Sequence, residues 1–168
     1  MWRVESVIKT IEKDIINKDI LEVACGCAEF SLAASPKANS VNCIDLNDKR
    51  LPASIYGYKN IIFTPMDAAA LQFAPNTFDT VIIYNSIGHL EGIVAEVINQ
   101  CRRVVKVGGS IYIISSFMID KHTIRGKLIP FLEKEKINYA FSAHMPFEYV
   151  KVSPAFDISP MQHIFSFF

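Results

Sequence analysis

The feature that most constrains this chain is an alternation of short β-branched runs with stretches of helical spacing. Ile20-Leu21-Glu22-Val23-Ala24 is the first such run. Val41 follows, apolar but for Asn42 as far as Ile44, and ends at Asp45. Ile61-Ile62-Phe63 leads into Thr64-Pro65-Met66-Asp67; Phe78 to Tyr84 contains Val81-Ile82-Ile83; and Ile111-Tyr112-Ile113-Ile114 follows Gly108-Gly109. Between them, Ile93, Val94, Val97, Ile98, Cys101, Val104 and Val105 recur at helical spacing. Ahead of the first run, Val4, Val7, Ile8, Ile11 and Ile15 mark one stripe of an amphipathic helix. Apolar runs this short, bounded by turn residues, suit strands buried on both faces. Strand and helix in alternation require right-handed crossovers and a parallel sheet covered on both sides. The expected fold is α/β: a doubly wound, Rossmann-like, mostly parallel sheet of five strands in three αβα layers.

The tail departs from this pattern. Residues 121–137 place Ile124, Leu128, Phe131 and Leu132 on one helical side, with Gly126 and Pro130 expected to kink or split the helix. Residues 138–152 and 162–168 are aromatic and β-branched, so they are expected to pair as an antiparallel edge joined by a long turn. At 168 residues one domain is expected: a helix over 1–19, a core over 20–116, and the helix and antiparallel strands over 117–168.

Seventeen Lys and Arg balance seventeen Asp and Glu, which argues against generic binding to nucleic acid or anionic membranes. No apolar run reaches the length of a membrane span, and the N-terminus lacks a signal-peptide layout, so a cytoplasmic location is expected. Cys25, Cys27, Cys43 and Cys101 form no C-x-x-C pair, so reduced thiols and no bound metal are expected.

In open α/β sheets, ligands bind beyond the carboxyl ends of the strands. Small residues at Ala24, Gly26 and Ala28 let the backbone after the first run approach a ligand closely. Asp45 lies 23 residues after Glu22, where a carboxylate accepts ribose hydroxyls. Asp67 follows 22 residues later, within reach of an adenine amino group. A tight turn that binds nothing, and acids that merely cap helices, are the competing structural readings.

These segments together resemble the class I S-adenosylmethionine-dependent methyltransferases, in particular their compact small-molecule type. The resemblance rests on Ile20 through Ala28, Val41-Asn42-Cys43-Ile44-Asp45, Met66-Asp67-Ala68, Phe78-Asp79-Thr80-Val81-Ile82 and Arg103-Val104-Val105-Lys106-Val107-Gly108-Gly109, in family order. It implies that Glu22 helps place the methionine amino group. It also implies that Ala24, Cys25, Gly26 and Ala28 form the loop under methionine and ribose. Asp45, with Leu46 beside it, would hold the ribose; Asp67 and the Ala68 backbone would contact the adenine; Asn85 would complete the cofactor site. The implied cofactor is S-adenosylmethionine, with S-adenosylhomocysteine as product. Ala24 and Ala28 stand where the family usually has glycine, so the loop is expected not to use positive φ freely there.

A dinucleotide site fits less well. G-x-G-x-x-G aligned on Gly26 puts Glu29 at its last glycine, where a carboxylate would oppose a pyrophosphate at the helix start. A cationic sulfonium tolerates Glu22 and Glu29. In Tyr84-Asn85-Ser86-Ile87-Gly88-His89-Leu90, His89 is the candidate to take a proton from the acceptor. Its competing role is a backbone-bonded loop histidine. The segment lacks the Pro-Pro-aromatic signature of enzymes that methylate nucleobase amines, so a small-molecule acceptor is expected. Met118, His144, Met145 and Phe147 are further candidates for an acceptor pocket, and Lys121, His122, Arg125, Lys127, Lys134 and Lys136 for a solvated basic face. With few residues ahead of the first strand to form a lid, the pocket is expected to be open, closed by the N-terminal helix, or completed by a homodimer or partner subunit. The alternative function is a cofactor-binding module without chemistry that partners another protein.

Overall fold

The fold is organised around a seven-stranded sheet; the computed structural model describes residues 2–154. In chain order the strands are β1 (Asp19–Val23), β2 (Ser40–Asp45), β3 (Ile61–Pro65), β4 (Phe78–Tyr84), β5 (Val105–Ser115), β6 (Tyr139–His144) and β7 (Phe147–Val152). Their spatial order is β3-β2-β1-β4-β5-β7-β6. The first five are mutually parallel, while β7 pairs antiparallel with both β5 and β6. The chain reverses its direction of travel across the sheet between β1 and β4, which opens a crevice at the strands' carboxyl ends.

Both faces of the central strands are buried because their side chains alternate between two cores. Leu21, Val23, Val81, Ile83, Ile111 and Ile113 face one side. There they meet α3 (Val94–Val104), α5 (Ile129–Lys134), and Ile124 and Leu128, which follow α4 (Met118–Thr123). Ile20, Val41, Ile82, Tyr84, Tyr112 and Ile114 face the other. That side is covered by α1 (Trp2–Thr10) and α2 (Glu29–Ala34), and the predicted stripe Val4, Val7, Ile8, Ile11 and Ile15 is buried there. The three αβα layers are those the alternation implies.

Three details differ from the sequence reading. First, residues 66–77, between β3 and β4, contain no helix, and β2 and β3 are joined only by a 3₁₀ turn, Ala53–Gly57. Second, Val105 begins β5 and does not end the preceding helix. The strand tolerates Gly108-Gly109 through an irregular register beside Phe78 and Thr80. A Cβ at Gly109 would lie 2.6 Å from the Asp79 carbonyl oxygen. Third, the late helix is divided where Gly126 and Pro130 are expected to kink or split it, but by a π segment and not by a break in the chain of helical turns. Residues 124–128 widen into a π turn, with Ile129 N–H bonded to Ile124 C=O, and Pro130 falls in the first turn of α5, where its missing N–H is least disruptive.

The antiparallel edge is present but is built differently. Residues 138–152, read as one strand, form the whole β6–β7 hairpin, turning at Met145-Pro146. The expected partner, residues 162–168, lies outside the described residues. Arg125 ties the helix to this hairpin through two hydrogen bonds to the buried Glu148, at 2.6 and 2.9 Å. It is a docking residue and not part of a merely solvated face.

Candidate functional site

A cavity of about 500 Å³ opens at the carboxyl ends of the parallel strands. That volume lies within the range of about 300–1,000 Å³ usual for small-ligand pockets. Ala24, Cys25 and Gly26 border it after β1, Asp45 and Leu46 after β2, Asp67 and Ala68 after β3, and Asn85 and His89 after β4. Nine of the residues singled out from sequence therefore converge on one space.

The loop after β1 departs from expectation. Ala24 and Ala28 both adopt φ 55°, and Gly26 φ 54°, so all three occupy left-handed backbone. Alanine pays a steric penalty there that glycine does not. The conformation is imposed from outside: Gly26 N–H donates to Asp45 Oδ2 at 2.8 Å, Cys25 N–H to Ile44 C=O at 2.9 Å, and Ala28 N–H to Cys25 C=O at 2.7 Å. Leu46 N–H donates to the other Asp45 oxygen at 2.7 Å. Asp45 thus shapes the loop and faces the cavity. A Cβ at Gly26 would sit 3.2 to 3.5 Å from the Arg50 guanidinium, which lies across the loop.

Two predicted residues do not reach the cavity lining. Glu22 points beneath the loop and is 1% exposed. Its Oε2 accepts hydrogen bonds from Ser31 N–H (3.0 Å) and Ser31 Oγ (2.5 Å). Burial pushes the Glu22 carboxyl up to about 8, against the pull of the Ser31 hydrogen bonds. The side chain points away from the cavity because Glu22 lies inside β1, on the face that meets α2, and not at the strand's end. Ala28 is fully buried with Cys25, Cys43 and Ile55. The acids that do line the cavity are not helix caps: Asp67 Oδ1 accepts Ala69 N–H at 2.8 Å within a turn that leads to no helix.

On the other side of β1, Asn85 takes φ 51° and bridges β4 to β5, its Oδ1 accepting Ser116 N–H at 2.7 Å. His89 lines the cavity from a 3₁₀ segment, Ile87–Ile93, with its own N–H on Ser86 C=O. Met118, His144, Met145 and Phe147 are absent from the lining. Met118 and Met145 are 79% and 94% exposed, His144 stacks on Tyr149, and Phe147 is buried in the α1–α2 core. Phe117, Ile119 and Asp120 line this end instead. Sequence reasoning missed them, and also Arg50, Tyr84 and Ser86. The turn from β5 into α4 carries no motif, and Asp120 reaches the site only because β5 lies beside β4.

The lining suits a cationic, phosphate-free ligand. Glu29, Asp45, Asp67 and Asp120 outnumber Arg50 among the charged lining residues. Glu29 also occupies the first turn of α2, which lies beneath the loop.

A methyltransferase-domain family model matches residues 20–109, more than half of the chain. The chain belongs to the class I methyltransferase-domain family. Among solved structures it resembles an S-adenosylmethionine-dependent methyltransferase from Aquifex aeolicus, at 16% identity and TM-score 0.71, covering 89% of this chain and 88% of that one. It also resembles the N-methyltransferase NodS from Bradyrhizobium japonicum WM9, at 15% identity and TM-score 0.70, covering 91% and 95%. DhpI in complex with SAH shares 17% identity at TM-score 0.68, covering 91% and 84%. At such identities the likeness establishes the shared fold. No curated protein matches the chain by sequence. S-adenosylmethionine is the cofactor of this methyltransferase family. No helix among the described residues is long and apolar enough to cross a membrane.

Proposed function

We propose that this methyltransferase domain binds S-adenosylmethionine in the cavity and methylates a small molecule that enters beside His89. The carrying observation is the convergence on one cavity of Asp45, Asp67, Asn85 and the left-handed loop Ala24-Cys25-Gly26, from four successive parallel strands. In this reading Asp45 accepts the ribose hydroxyls with the lone pairs that Gly26 and Leu46 leave free. Asp67 and the Ala68 backbone take the adenine edge, and Leu46, 71% exposed at the lip, covers the ring. The loop supports the methionine portion. When bound, the cofactor supplies a methyl group activated by a sulfonium.

The protein's own contribution is to hold acceptor and methyl in line and to receive the acceptor's proton. His89 is placed to do the latter. A small acceptor is favoured because Phe117 and Ile119 narrow this end with apolar side chains.

Calorimetry with S-adenosylmethionine, S-adenosylhomocysteine and NAD tests the donor site. Binding of the first two and not of NAD is expected, and NAD binding alone would refute it. Once an acceptor turns over, His89→Ala should slow methylation by about 10²- to 10⁴-fold with cofactor affinity intact.

A further inference from the structure

The loops after β4 and β5 bring together polar groups that the donor reading leaves unused. Asp120, the third residue of α4, is 1% exposed yet borders the cavity. Its Oδ1 accepts Gly88 N–H at 2.7 Å, and among the described residues its second oxygen takes no hydrogen bond. The approach is close: a Cβ at residue 88 would lie 3.1 Å from Oδ1 and 3.2 Å from the Ile119 side chain, so those side chains would have to shift. Ser86 is 6% exposed and also lines the cavity, and its Oγ has no hydrogen-bond partner among the described residues. Burial raises the Asp120 carboxyl, against the pull of the Gly88 N–H and of the nearby His89. Leu90, Ile93, Phe117 and Ile119 form apolar walls, and among the described residues no Lys or Arg lines this end.

A buried carboxylate with a free oxygen, on the same cavity as a buried hydroxyl without a partner, is a site that lacks its donors. A cation carrying N–H groups would supply them, whereas an anion would be repelled. We infer that Asp120 and Ser86 bind the amino group of the methyl acceptor, so the substrate class is a small amine with an apolar body. The inference rests on the donor-site reading above. The amine enters as an ammonium held by Asp120 and passes one proton to His89. Its nitrogen lone pair then forms the bond to the methyl carbon as the carbon–sulfur bond breaks, and that bond's electron pair stays on sulfur. The positive charge moves from sulfur to nitrogen.

Matched probes test this on protein saturated with S-adenosylhomocysteine: cyclohexylamine and phenethylamine, the corresponding alcohols cyclohexanol and 2-phenylethanol, and the carboxylates cyclohexanecarboxylate and phenylacetate. Thermal shift and calorimetry should show the amines binding at least about tenfold more tightly than either alternative. Asp120→Asn keeps an oxygen for Gly88 N–H, so it should fold and retain S-adenosylhomocysteine affinity while losing about tenfold or more in amine affinity. Ser86→Ala should lose less. Alcohols or carboxylates binding as well as amines, no amine binding to the loaded protein, or undiminished amine affinity in Asp120→Asn would each overturn the inference. Failure of S-adenosylhomocysteine to bind folded wild-type protein is a separate result; it removes the donor reading and this inference with it.

Discussion

Replacing Ala24 by glycine should stabilise the protein, although glycine usually does the opposite. Left-handed backbone costs an L-residue about 1–2 kcal/mol, and Ala24 sits there at φ 55°. Glycine removes that penalty but frees the unfolded chain, at a cost of about 0.4–1 kcal/mol. The Ala24 methyl is only partly buried, so little packing is lost. The net is about 0.5 kcal/mol of added stability, or a Tm rise of about 1–2 °C at this chain length. Ala28 has the same φ, but its methyl is fully buried. Losing that methyl costs roughly another 0.8 kcal/mol, so Ala28→Gly should come out near zero or slightly destabilising. Gly26→Ala adds the strain, restricts the unfolded chain by about 0.4–1 kcal/mol in its favour and crowds the Arg50 guanidinium, so it should destabilise by about 0.5–1 kcal/mol. Urea unfolding midpoints of the three variants, at unchanged m-value, measure the series. Ala24→Gly destabilising by about 1 kcal/mol, or Gly26→Ala without cost, would refute a loop held in left-handed backbone by Asp45.

Asp45→Ala should weaken S-adenosylmethionine binding by about 1.5–3 kcal/mol by calorimetry and Asp67→Ala by less, because Ala68 offers backbone contacts. Folding stability should fall as pH rises from about 5 to 8, because the folded state holds a proton on Glu22 that the unfolded state releases near 4.5. The Glu22 contribution is at most about 1.4 kcal/mol per pH unit, and Glu22→Gln, which mimics the protonated form, should flatten the slope of the urea midpoint against pH. Arg125→Met leaves the buried Glu148 carboxylate without its partner and should cost about 2 kcal/mol. The double variant Arg125→Met, Glu148→Leu should recover part of that loss by thermal melting.

The α/β class and the positions of the parallel strands were legible in the sequence because strand burial on both faces leaves short β-branched runs, a local signal. The convergence of Asp45, Asp67 and Asn85 on one cavity was legible for a related reason: in a parallel sheet every strand's carboxyl end faces the same way, so they had to share one rim. Glu22 lay one residue inside that rule, and only the pleat decided that its side chain turns beneath the loop. The φ of Ala24 and Ala28 was likewise invisible, because Asp45, 17 to 21 residues away in the chain, imposes it. At the His89 end of the cavity, the pairing of Ser86 with Asp120 on one lining depended on tertiary structure. Ser86 and Asp120 are 34 residues apart and carry no shared pattern. They line one cavity because β4 and β5 are neighbours in the sheet and because Gly88 N–H, in the loop after β4, bonds Asp120 in α4. Periodicity reports which side of an element is buried, whereas a site between two loops is set by packing distances that no local run of residues encodes.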